Sequence, residues 1–346
     1  MTVADLTERE LVARIQRRLA PAPDWLLVGI GDDAAVVEPE RNRVEVLTVD
    51  ALVDGVHFDR AFVPPAAIGH RALAVNLSDL AAMGAAPRLA LLSMALPGDL
   101  PEVDFDAIAE GLASLAAAHR LHVVGGNLTR TSGPLTIDVT AVGTVKRRQA
   151  LTRSGARAGD QLYVSGALGA AGAGLGILST AVGRMSDVSH LTRSTDVSES
   201  PTAELRLATA YLTPQPRIKL GLMLSRNRAA SACVDLSDGL ADGVHRLAES
   251  SGVGISVDAD ALPIDPDARA WYEALGVDPV MTAICAGDDY ELLFTVRPRT
   301  QRRLAEAVRH GGVPLMRIGE CTADRAILLR RGGGTAPLPG GYTHFA

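Results

Sequence analysis

Aromatic residues and cysteine are scarce in this sequence. Phe, Trp and Tyr make up 3% of the 346 residues, whereas hydrophobic residues as a whole make up 47%. The core must therefore consist mainly of Ala, Val, Leu and Ile, which is typical of strands covered by helices. The three cysteines, Cys233, Cys285 and Cys321, lie far apart, form no CxxC pair and have no His at zinc spacing. We expect free thiols, which excludes a zinc site and a disulfide-stabilised fold.

The sequence also lacks basic runs and a targeting segment. The formal net charge is -6, and no run of Lys and Arg is interleaved with aromatic residues. The electrostatic signature of nucleic-acid binding is therefore missing, and small ligands are favoured. The N terminus does not have the basic and apolar regions of a signal peptide, so we expect a cytoplasmic protein. The long uncharged segment 161–183 is rich in glycine and is broken by Ser and Thr, which predicts a buried strand and helix rather than a membrane span.

The familiar nucleotide-binding signatures are absent as well. The sequence contains no GxxxxGK[ST] loop, no GxGxxG after a strand-like segment, and neither an HRD nor a DFG motif. A nucleotide bound by this chain must be held by a different arrangement of residues.

The hydrophobic pattern alternates between strand and helix periods along the whole chain. Helix-like segments at 66–83 and 103–119 are flanked by strand-like segments, and a second alternation of the same kind follows. The length is sufficient for two hydrophobic cores. The sequence therefore predicts an α/β protein of the α+β type with two domains, at 1–148 and 149–346. We expect the polar stretch 186–201 to be a surface loop.

Aspartates at apparent corners between these segments are the most informative residues. They occur in four short motifs: Gly31-Asp32-Asp33, Val49-Asp50, Ser78-Asp79 and Asp235-Leu236-Ser237-Asp238-Gly239. Mg²⁺ prefers oxygen ligands and is usually held by one or two carboxylates together with substrate phosphates. Several such motifs predict several Mg²⁺ ions. Any one of these aspartates is equally well explained by turn or capping chemistry, and Asp238, just before a helix-like segment, is an example.

A pair of glycines adds a second indication. Gly125-Gly126-Asn127 follows the strand-like segment 121–124. Because glycine has no β-carbon, backbone N–H groups in such a segment can approach a phosphate closely. The pattern favours a phosphate ligand.

Eight motifs, taken in order, resemble those of the thiamine-monophosphate kinases: GIGDDAAVV, TVDALVDGVHF, AVNLSDLAAMGA, VVGGNLTR, LTRSGARAGD, CVDLSDGL, AGDDYELLF and GYTHFA. The resemblance spans residues 28–346. That family belongs to the aminoimidazole-ribonucleotide synthetase-like superfamily, whose members combine an N-terminal ATP-binding and dimerising mixed-sheet domain with a C-terminal α/β domain that completes the nucleotide and substrate sites. The resemblance therefore implies a homodimeric kinase that forms thiamine diphosphate from thiamine monophosphate, with ATP as co-substrate and several Mg²⁺ ions.

The resemblance also implies site residues. Those implied as metal ligands are Asp33, Thr48, Val49 through its backbone, Asp50, Asp79, Asn127, Asp235 and Asp238. Those implied as nucleotide contacts are Gly126, Asn127, Arg153 and Ser237. Those implied as contacts of thiamine monophosphate are His57, Asp288 and Tyr342. No catalytic residue is implied beyond these metal and phosphate ligands, and we expect direct in-line transfer of the γ-phosphoryl group.

Three departures from the family pattern bear on this expectation. Asn127 stands where the family usually has Asp, which removes a negative charge from a cation site. Val49 and Ala51 replace residues that carry hydroxyl groups, and Cys285-Ala286-Gly287-Asp288 replaces Ser-Gly-Gly-Glu. Two alternatives therefore stay open at this point: a different enzyme of the same superfamily, and a non-catalytic protein that binds nucleotide or thiamine phosphate.

Overall fold

The computed structural model describes residues 1–183 and 202–341, so the stretch 186–201 and Tyr342 lie outside the described residues. The chain divides into two compact units, Met1–Leu80 with Ala86–Arg147, and Ala81–Ala85 with Arg148–Ala346. Both units combine helices with a mixed sheet, which confirms the predicted fold class. The roles that the sequence assigned to the two domains stay predictions.

The first unit contains three of the described helices and six strands. They are α1 (Glu8–Gln16), β1 (Leu26–Val28), β2 (Val36–Val37), β3 (Arg43–Val53), α2 (Pro65–Ala82), β4 (Ala86–Pro97), α3 (Glu102–Ala118), β5 (His122–Thr131) and β6 (Thr136–Lys146). The first helix begins at a capping box, in which the Thr7 N–H donates to Glu10 Oε2 at 2.7 Å and the Glu10 N–H donates to Thr7 Oγ1 at 3.3 Å. The bond from the Thr7 N–H, together with one from the Thr7 hydroxyl, lowers the pKa of the Glu10 carboxyl.

Four of these strands form a mixed sheet in the order β3-β6-β4-β5, which leaves β3 and β5 at its edges. Strand β6 is antiparallel to both neighbours, whereas β4 and β5 are parallel. Side chains alternate between the two faces of a strand. Thr48 and Asp50 on β3 therefore share one face, and Leu47 and Val49 share the other, where they are 66% and 58% exposed.

Helices α2 and α3 supply much of the buried apolar surface of the first unit. Leu73, Leu77 and Leu80 of α2 are fully buried, as is Phe105 of α3. This segment of α2 reads as helical because Leu73, Leu77 and Leu80 recur four and three positions apart. Asp79 lies on α2 next to the buried Leu80, so the helix holds the position of its carboxylate.

The second unit contains seven described helices and seven strands. They are β7 (Gln161–Ser165), α4 (Ala170–Gly183), α5 (Ala203–Leu212), α6 (Ile218–Asn227), β8 (Ala232–Asp235), α7 (Gly239–Ser251), β9 (Gly254–Asp258), α8 (Pro266–Ala274), α9 (Pro279–Cys285), β10 (Leu292–Val296), α10 (Gln301–Gly311), β11 (Leu315–Thr322), β12 (Ile327–Arg331) and β13 (Gly334–Pro337). The strands form one sheet in the order β13-β12-β9-β11-β7-β10-β8. Only the β9 and β12 pair is parallel among the pairs described.

The centre of this sheet is the core of the second unit. Leu162, Val164, Leu293 and Ile255 are completely buried. The uncharged segment 161–183 forms β7 and α4, as predicted. Within the described residues, no helix is long and apolar enough to cross a membrane.

Candidate functional site

In the first unit, two predicted metal ligands from different elements meet. The Thr48 hydroxyl on β3 donates to Oδ2 of Asp79 on α2. Asp50 lies two residues further along β3 and therefore on the same face of the strand. The arrangement gathers hydroxyl and carboxylate oxygens, which are the donors that hard cations prefer. The side chain of Val49 lies on the opposite face, so only its backbone can contribute.

The structure corrects one expectation about these residues. The motifs suggested corners at Asp50 and Asp79, but Asp50 lies inside β3, and Asp79 lies inside α2, where the helix-like segment 66–83 had also placed it. Strand β3 continues to Val53 because it pairs with β6 without a break along its whole length. Asp33 does lie in an exposed turn, where its N–H donates to Asp32 Oδ1 at 2.8 Å. It takes no part in the hydrogen bond between Thr48 and Asp79.

The predicted phosphate-binding residues Gly126 and Asn127 lie within β5. The sequence placed them after a strand that ends at residue 124, but parallel pairing with β4 extends the strand to Thr131. A β-carbon at Gly126 would lie 1.8 Å from the carbonyl oxygen of Leu92, so strand packing alone already requires glycine there. Asn127 is exposed and pairs with Ser93 of β4.

His57 lies in the turn after β3. Its Nδ1 accepts a hydrogen bond of 3.1 Å from the N–H of Val53. In the neutral imidazole, an acceptor at Nδ1 leaves the proton on Nε2. In this tautomer, the N–H donor of His57 is at Nε2.

In the second unit, three predicted residues lie where β8 leads into α7. Asp235 ends the strand and is 6% exposed, and Ser237 and Asp238 follow it. Asp238 is at the N-cap position of α7, yet its side chain makes no capping hydrogen bond. Its Oδ2 instead accepts from Arg246 Nη2 at 3.0 Å. The simple capping interpretation of Asp238 is therefore wrong, and its charge is partly balanced by an arginine.

The predicted substrate residue Asp288 lies in the loop 285–291, which begins at the last residue of α9 and contacts the β8–α7 connection. Its N–H donates to the carbonyl oxygen of Ser237 at 2.8 Å. The Tyr290 hydroxyl donates to Asp288 Oδ1 at 3.0 Å, which orients the carboxylate. The structure therefore brings together Ser237 and Asp288, which lie 51 positions apart in the sequence.

Arg153 lies in the connection that precedes β7 and is exposed. The neighbouring residue Thr152 accepts the N–H of Cys233 at 2.9 Å through its carbonyl oxygen, so this segment runs alongside β8. The Arg153 carbonyl oxygen accepts a bond of 3.1 Å from the Ser251 hydroxyl. These backbone bonds fix the position of Arg153 while its guanidinium extends from the surface, where an anion can reach it.

Sequence reasoning missed an ion pair behind the loop 285–291. Glu291 is 2% exposed, and Arg217 donates to both of its carboxylate oxygens, through Nε at 2.8 Å and through Nη2. Ser165 of β7 donates to the same carboxylate. The only signal in the sequence was a charged residue at the start of an apolar strand-like segment, and its partner lies 74 positions away.

Within residues 1–183 and 202–341, no group of three or more His, Cys, Asp or Glu side chains is arranged to hold a metal ion without further ligands. The acidic residues of each unit are dispersed over several elements.

Comparison with known proteins covers almost the entire chain. Residues 31–145 match the family described as AIR synthase related protein, N-terminal domain, and residues 157–330 match AIR synthase related protein, C-terminal domain. The thiamine-monophosphate kinase of Escherichia coli strain K12 is 36% identical over 98% of both chains. The chain belongs to the thiamine-monophosphate kinase family. This confirms the resemblance on which the site residues were proposed, although their individual roles stay predictions.

Solved structures of the thiamine-monophosphate kinase family agree with this fold. The thiamine-monophosphate kinase of Stenotrophomonas maltophilia K279a is 39% identical, with a TM-score of 0.80 over 96% of this chain and 98% of that chain. AaThiL in complex with AMPPCP and TMP is 31% identical, with a TM-score of 0.74 over 100% of this chain and 99% of that chain. The likeness therefore extends over both units.

Proposed function

We propose that this chain phosphorylates thiamine monophosphate to thiamine diphosphate, with ATP as the phosphate donor. The observation that carries the proposal is the likeness over the full length to AaThiL, which was solved with AMPPCP, an ATP analogue, and with TMP. Curated relatives with the name thiamine-monophosphate kinase support the same activity. The expected cytoplasmic location and the expected lack of a nucleic-acid partner stay predictions.

The reaction is a direct in-line transfer of the γ-phosphoryl group to the phosphate of thiamine monophosphate. The acceptor is a phosphate monoester with a second pKa of about 6, so it is largely ionised near neutral pH and needs no strong general base. The difficulty is the repulsion between two polyanions, which must be brought into line at short distance. Positioning groups and positive charge are therefore the main requirement.

The oxygen donors of the first unit fit Mg²⁺. Thr48 and Asp79 are in contact, and Asp50 shares their side of the strand. The residues that would hold the ions are Asp33, Thr48, Asp50, Asp79, Asn127, Asp235 and Asp238, with Val49 contributing its backbone. Bound Mg²⁺ neutralises phosphate charge, which lowers the repulsion between the two substrates.

Other residues bind and orient the substrates. Arg153 donates to a nucleotide phosphate, because a guanidinium offers two parallel N–H groups that match phosphate oxygens. Gly126 and Ser237 contact the nucleotide through the backbone and the hydroxyl group. Asp288 attracts the cationic thiamine moiety, and Tyr342 offers it an aromatic face.

His57 has a defined role in this scheme. Because the Val53 N–H occupies Nδ1, the imidazole presents Nε2–H as a donor to the phosphate of thiamine monophosphate. A neutral donor suffices here, so the proposal does not require a protonated imidazole.

We further infer that the chain acts as a homodimer. Asp50 and Asn127 lie on the two opposite edge strands of the β3-β6-β4-β5 sheet, which puts them three strand spacings, roughly 14 Å, apart. Ligands of one Mg²⁺ must each lie about 2.1 Å from it. One copy of the sheet cannot bring these two residues to one ion, so an ion held by both would need a second copy of the chain.

The surface of the first unit supports this arrangement. Strands β3 and β5 span 11 and 10 residues, and each has an unpaired edge in the described chain. Leu47, Val49 and Leu91 expose apolar side chains on the sheet. Long open edges beside apolar patches are typical of surfaces that pair with another chain. Light scattering should give twice the chain mass of 36.1 kDa, and the mass of a single chain at working concentration would contradict the dimer.

The activity is tested with a coupled assay that contains ATP, Mg²⁺ and either thiamine monophosphate or thiamine, followed by chromatography of the products. We expect thiamine diphosphate to form from the monophosphate only. A product from another small phosphate or acid in place of thiamine diphosphate would favour a different enzyme of the superfamily. Nucleotide binding without turnover of any acceptor would favour the non-catalytic alternative, which the departure at Asn127 keeps relevant.

A further inference from the structure

Asp289 follows the proposed substrate residue Asp288 and has no part in the reaction described above. Its carboxylate accepts the N–H of Gly169 at Oδ2, at 2.8 Å, and the N–H of Ala171 at Oδ1, at 3.4 Å. These amides lie at the start of α4, where the first N–H groups of a helix have no partner within the helix. Asp289 therefore caps α4 from a loop 118 positions away in the sequence.

The loop that carries Asp289 has an unfavourable backbone. Asp288 and Tyr290, on either side of it, have φ angles of 67° and 48°. Residues other than glycine are strained in this left-handed region of backbone angles, by about 1–2 kcal/mol per residue. Such a conformation persists only where surrounding contacts hold it. Asp289 provides the side-chain contact midway between the two strained residues.

The loop is also confined on both sides. A β-carbon at Gly172 of α4 would lie 2.7 Å from Cβ of Ala286, and one at Gly287 would lie 2.6 Å from the carbonyl oxygen of Ser237. The loop is therefore closely packed between the start of α4 and the connection that leads into α7. A change at the start of α4 must be transmitted to this loop.

We propose that Asp289 is a positioning residue that holds the loop 285–291 on α4, so that the Asp288 carboxylate is fixed where it binds the cationic part of thiamine monophosphate. This proposal rests on the proposed function of Asp288. Both oxygens of Asp289 accept helix amides, so the residue acts through Asp288 and does not contact the substrate. The Tyr290 hydroxyl then sets the orientation of the Asp288 carboxylate.

The charged groups around Asp289 are consistent with a role that depends on its hydrogen bonds from the Gly169 and Ala171 amides. Burial raises the pKa of the Asp289 carboxyl to about 7, against the hydrogen bonds from Gly169 and Ala171, and repulsion by Glu291 and Asp288 on the same loop adds to the rise. Tyr272 on α8 contacts the Gly169 carbonyl oxygen, and its own pKa is raised by burial and by Asp289. Arg217 is engaged with Glu291. Among the described residues, the backbone N–H groups of Gly169 and Ala171 donate hydrogen bonds to the Asp289 carboxylate.

The test compares Asp289→Ala with Asp289→Asn and with the control Asp265→Ala. Asp265 also accepts two backbone N–H groups, at the start of α8, at 2.9 and 3.1 Å. We expect Asp289→Ala to raise the KM for thiamine monophosphate about tenfold, from the loss of a cap and of the loop position, with kcat less affected and the KM for ATP unchanged. Asp289→Asn keeps one acceptor and should show a smaller rise, and Asp265→Ala none.

Hydrogen exchange provides a readout that does not need activity. The amides of Asp288 and Tyr290, which donate to Ser237 and Leu236, should exchange faster in Asp289→Ala than in the unmodified chain. If the unmodified chain does not phosphorylate thiamine monophosphate, the proposed function fails, and faster exchange then still supports the positioning role. Unchanged exchange in Asp289→Ala overturns that role whatever the activity.

Three kinetic outcomes also overturn the proposal. They are an unchanged KM for thiamine monophosphate, an equal rise in both KM values, and the same rise in Asp265→Ala. If Asp289→Ala does not fold, KM and hydrogen exchange of Asp289→Asn test the proposal, because asparagine preserves the shape of the side chain. An unchanged KM together with unchanged loop exchange in Asp289→Asn then overturns the proposal.

Discussion

The candidate residues of the two units are held in different ways. In the first unit, Thr48, Asp50 and Asp79 project from a regular strand and a regular helix, whose backbones are fixed by sheet pairing and by apolar packing. In the second unit, Ser237 and Asp288 lie in loops, and buried polar contacts determine the loop conformation. Substitutions in the first unit should therefore change chemistry with little effect on stability. Substitutions behind the loops should change stability and substrate position together.

The largest effect is expected for Asp79→Asn. The amide oxygen can still accept from Thr48, so the fold should persist, but the charge needed at a cation is lost. We expect kcat to fall by on the order of 10²–10³-fold, as on removal of other electrostatic groups from active sites. The matched control is Asp24→Asn, at an exposed position of the same unit. Steady-state kinetics measure kcat, and thermal unfolding measures the stability of the fold. Full activity in Asp79→Asn would refute the metal assignment.

Next in size is the effect of Arg217→Ala on stability. The substitution leaves the buried Glu291 carboxylate without its bidentate partner, and breaking such a pair costs about 3 kcal/mol of unfolding free energy. The control Arg309→Ala removes the exposed pair with Glu306, which contributes less than about 1 kcal/mol. Denaturant unfolding measures both. Equal, small losses of unfolding free energy in Arg217→Ala and Arg309→Ala would show that the loops of the second unit do not depend on this buried pair.

A smaller effect is expected in the pH dependence of stability. The pKa of Asp289 is raised from 3.8 to about 7. Between these pH values, the carboxyl keeps its proton in the folded chain but has lost it in the unfolded chain. Its contribution to the unfolding free energy therefore falls as pH rises from about 4 to about 7. The unfolding free energy of the unmodified chain minus that of Asp289→Asn should therefore decrease over that range, as denaturant unfolding at each pH would measure.

Asp278, in the same unit, has a pKa shift in the opposite direction, so its effect on stability depends on pH in the opposite way. The hydrogen bond from Arg331 lowers the pKa of the Asp278 carboxyl below 3.8, so its contribution is lost only as pH falls below that value. The difference between the unmodified chain and Asp278→Asn should therefore stay constant from about pH 5 to 7. A pH-independent difference for Asp289→Asn as well would show that Asp289 keeps an ordinary pKa.

The smallest effect is expected for Asn127→Asp. This change restores the carboxylate that the family usually has and adds a negative charge to an exposed position of β5. We expect the Mg²⁺ concentration for half-maximal activity to fall about two- to fivefold, because affinity for hard cations increases with the number of charged ligands. Asn42→Asp, in the turn before β3, is the control. An unchanged Mg²⁺ dependence would place residue 127 outside the cation site.

The sequence predicted regular elements better than the residues around them. The motif AVNLSDLAA predicts helix α2 because its apolar spacing is unambiguous, and the alternating residues of β3 predict a strand. Pairing with neighbouring strands was not visible in the local pattern, so β5 was ended too early and Asp50 was placed at a corner. Helices α8 and α9 and strands β12 and β13 were missed because they are short.

The site itself was predicted mainly by resemblance. Nothing in the local sequence indicates that Thr48 contacts Asp79, because the two residues lie on different elements 31 positions apart. The same holds for Asp289 and the start of α4. Such contacts depend on tertiary packing, and one sequence contains no direct signal of them.

The most direct test of the proposed function follows the phosphoryl group. The chain is incubated with thiamine monophosphate, Mg²⁺ and ATP labelled with ³²P in the γ position, and the thiamine products are separated. Direct transfer predicts that the label appears in the terminal phosphate of thiamine diphosphate, with one ADP formed per product. Label released only as inorganic phosphate, or no loss of label from ATP although nucleotide binds, would contradict the account.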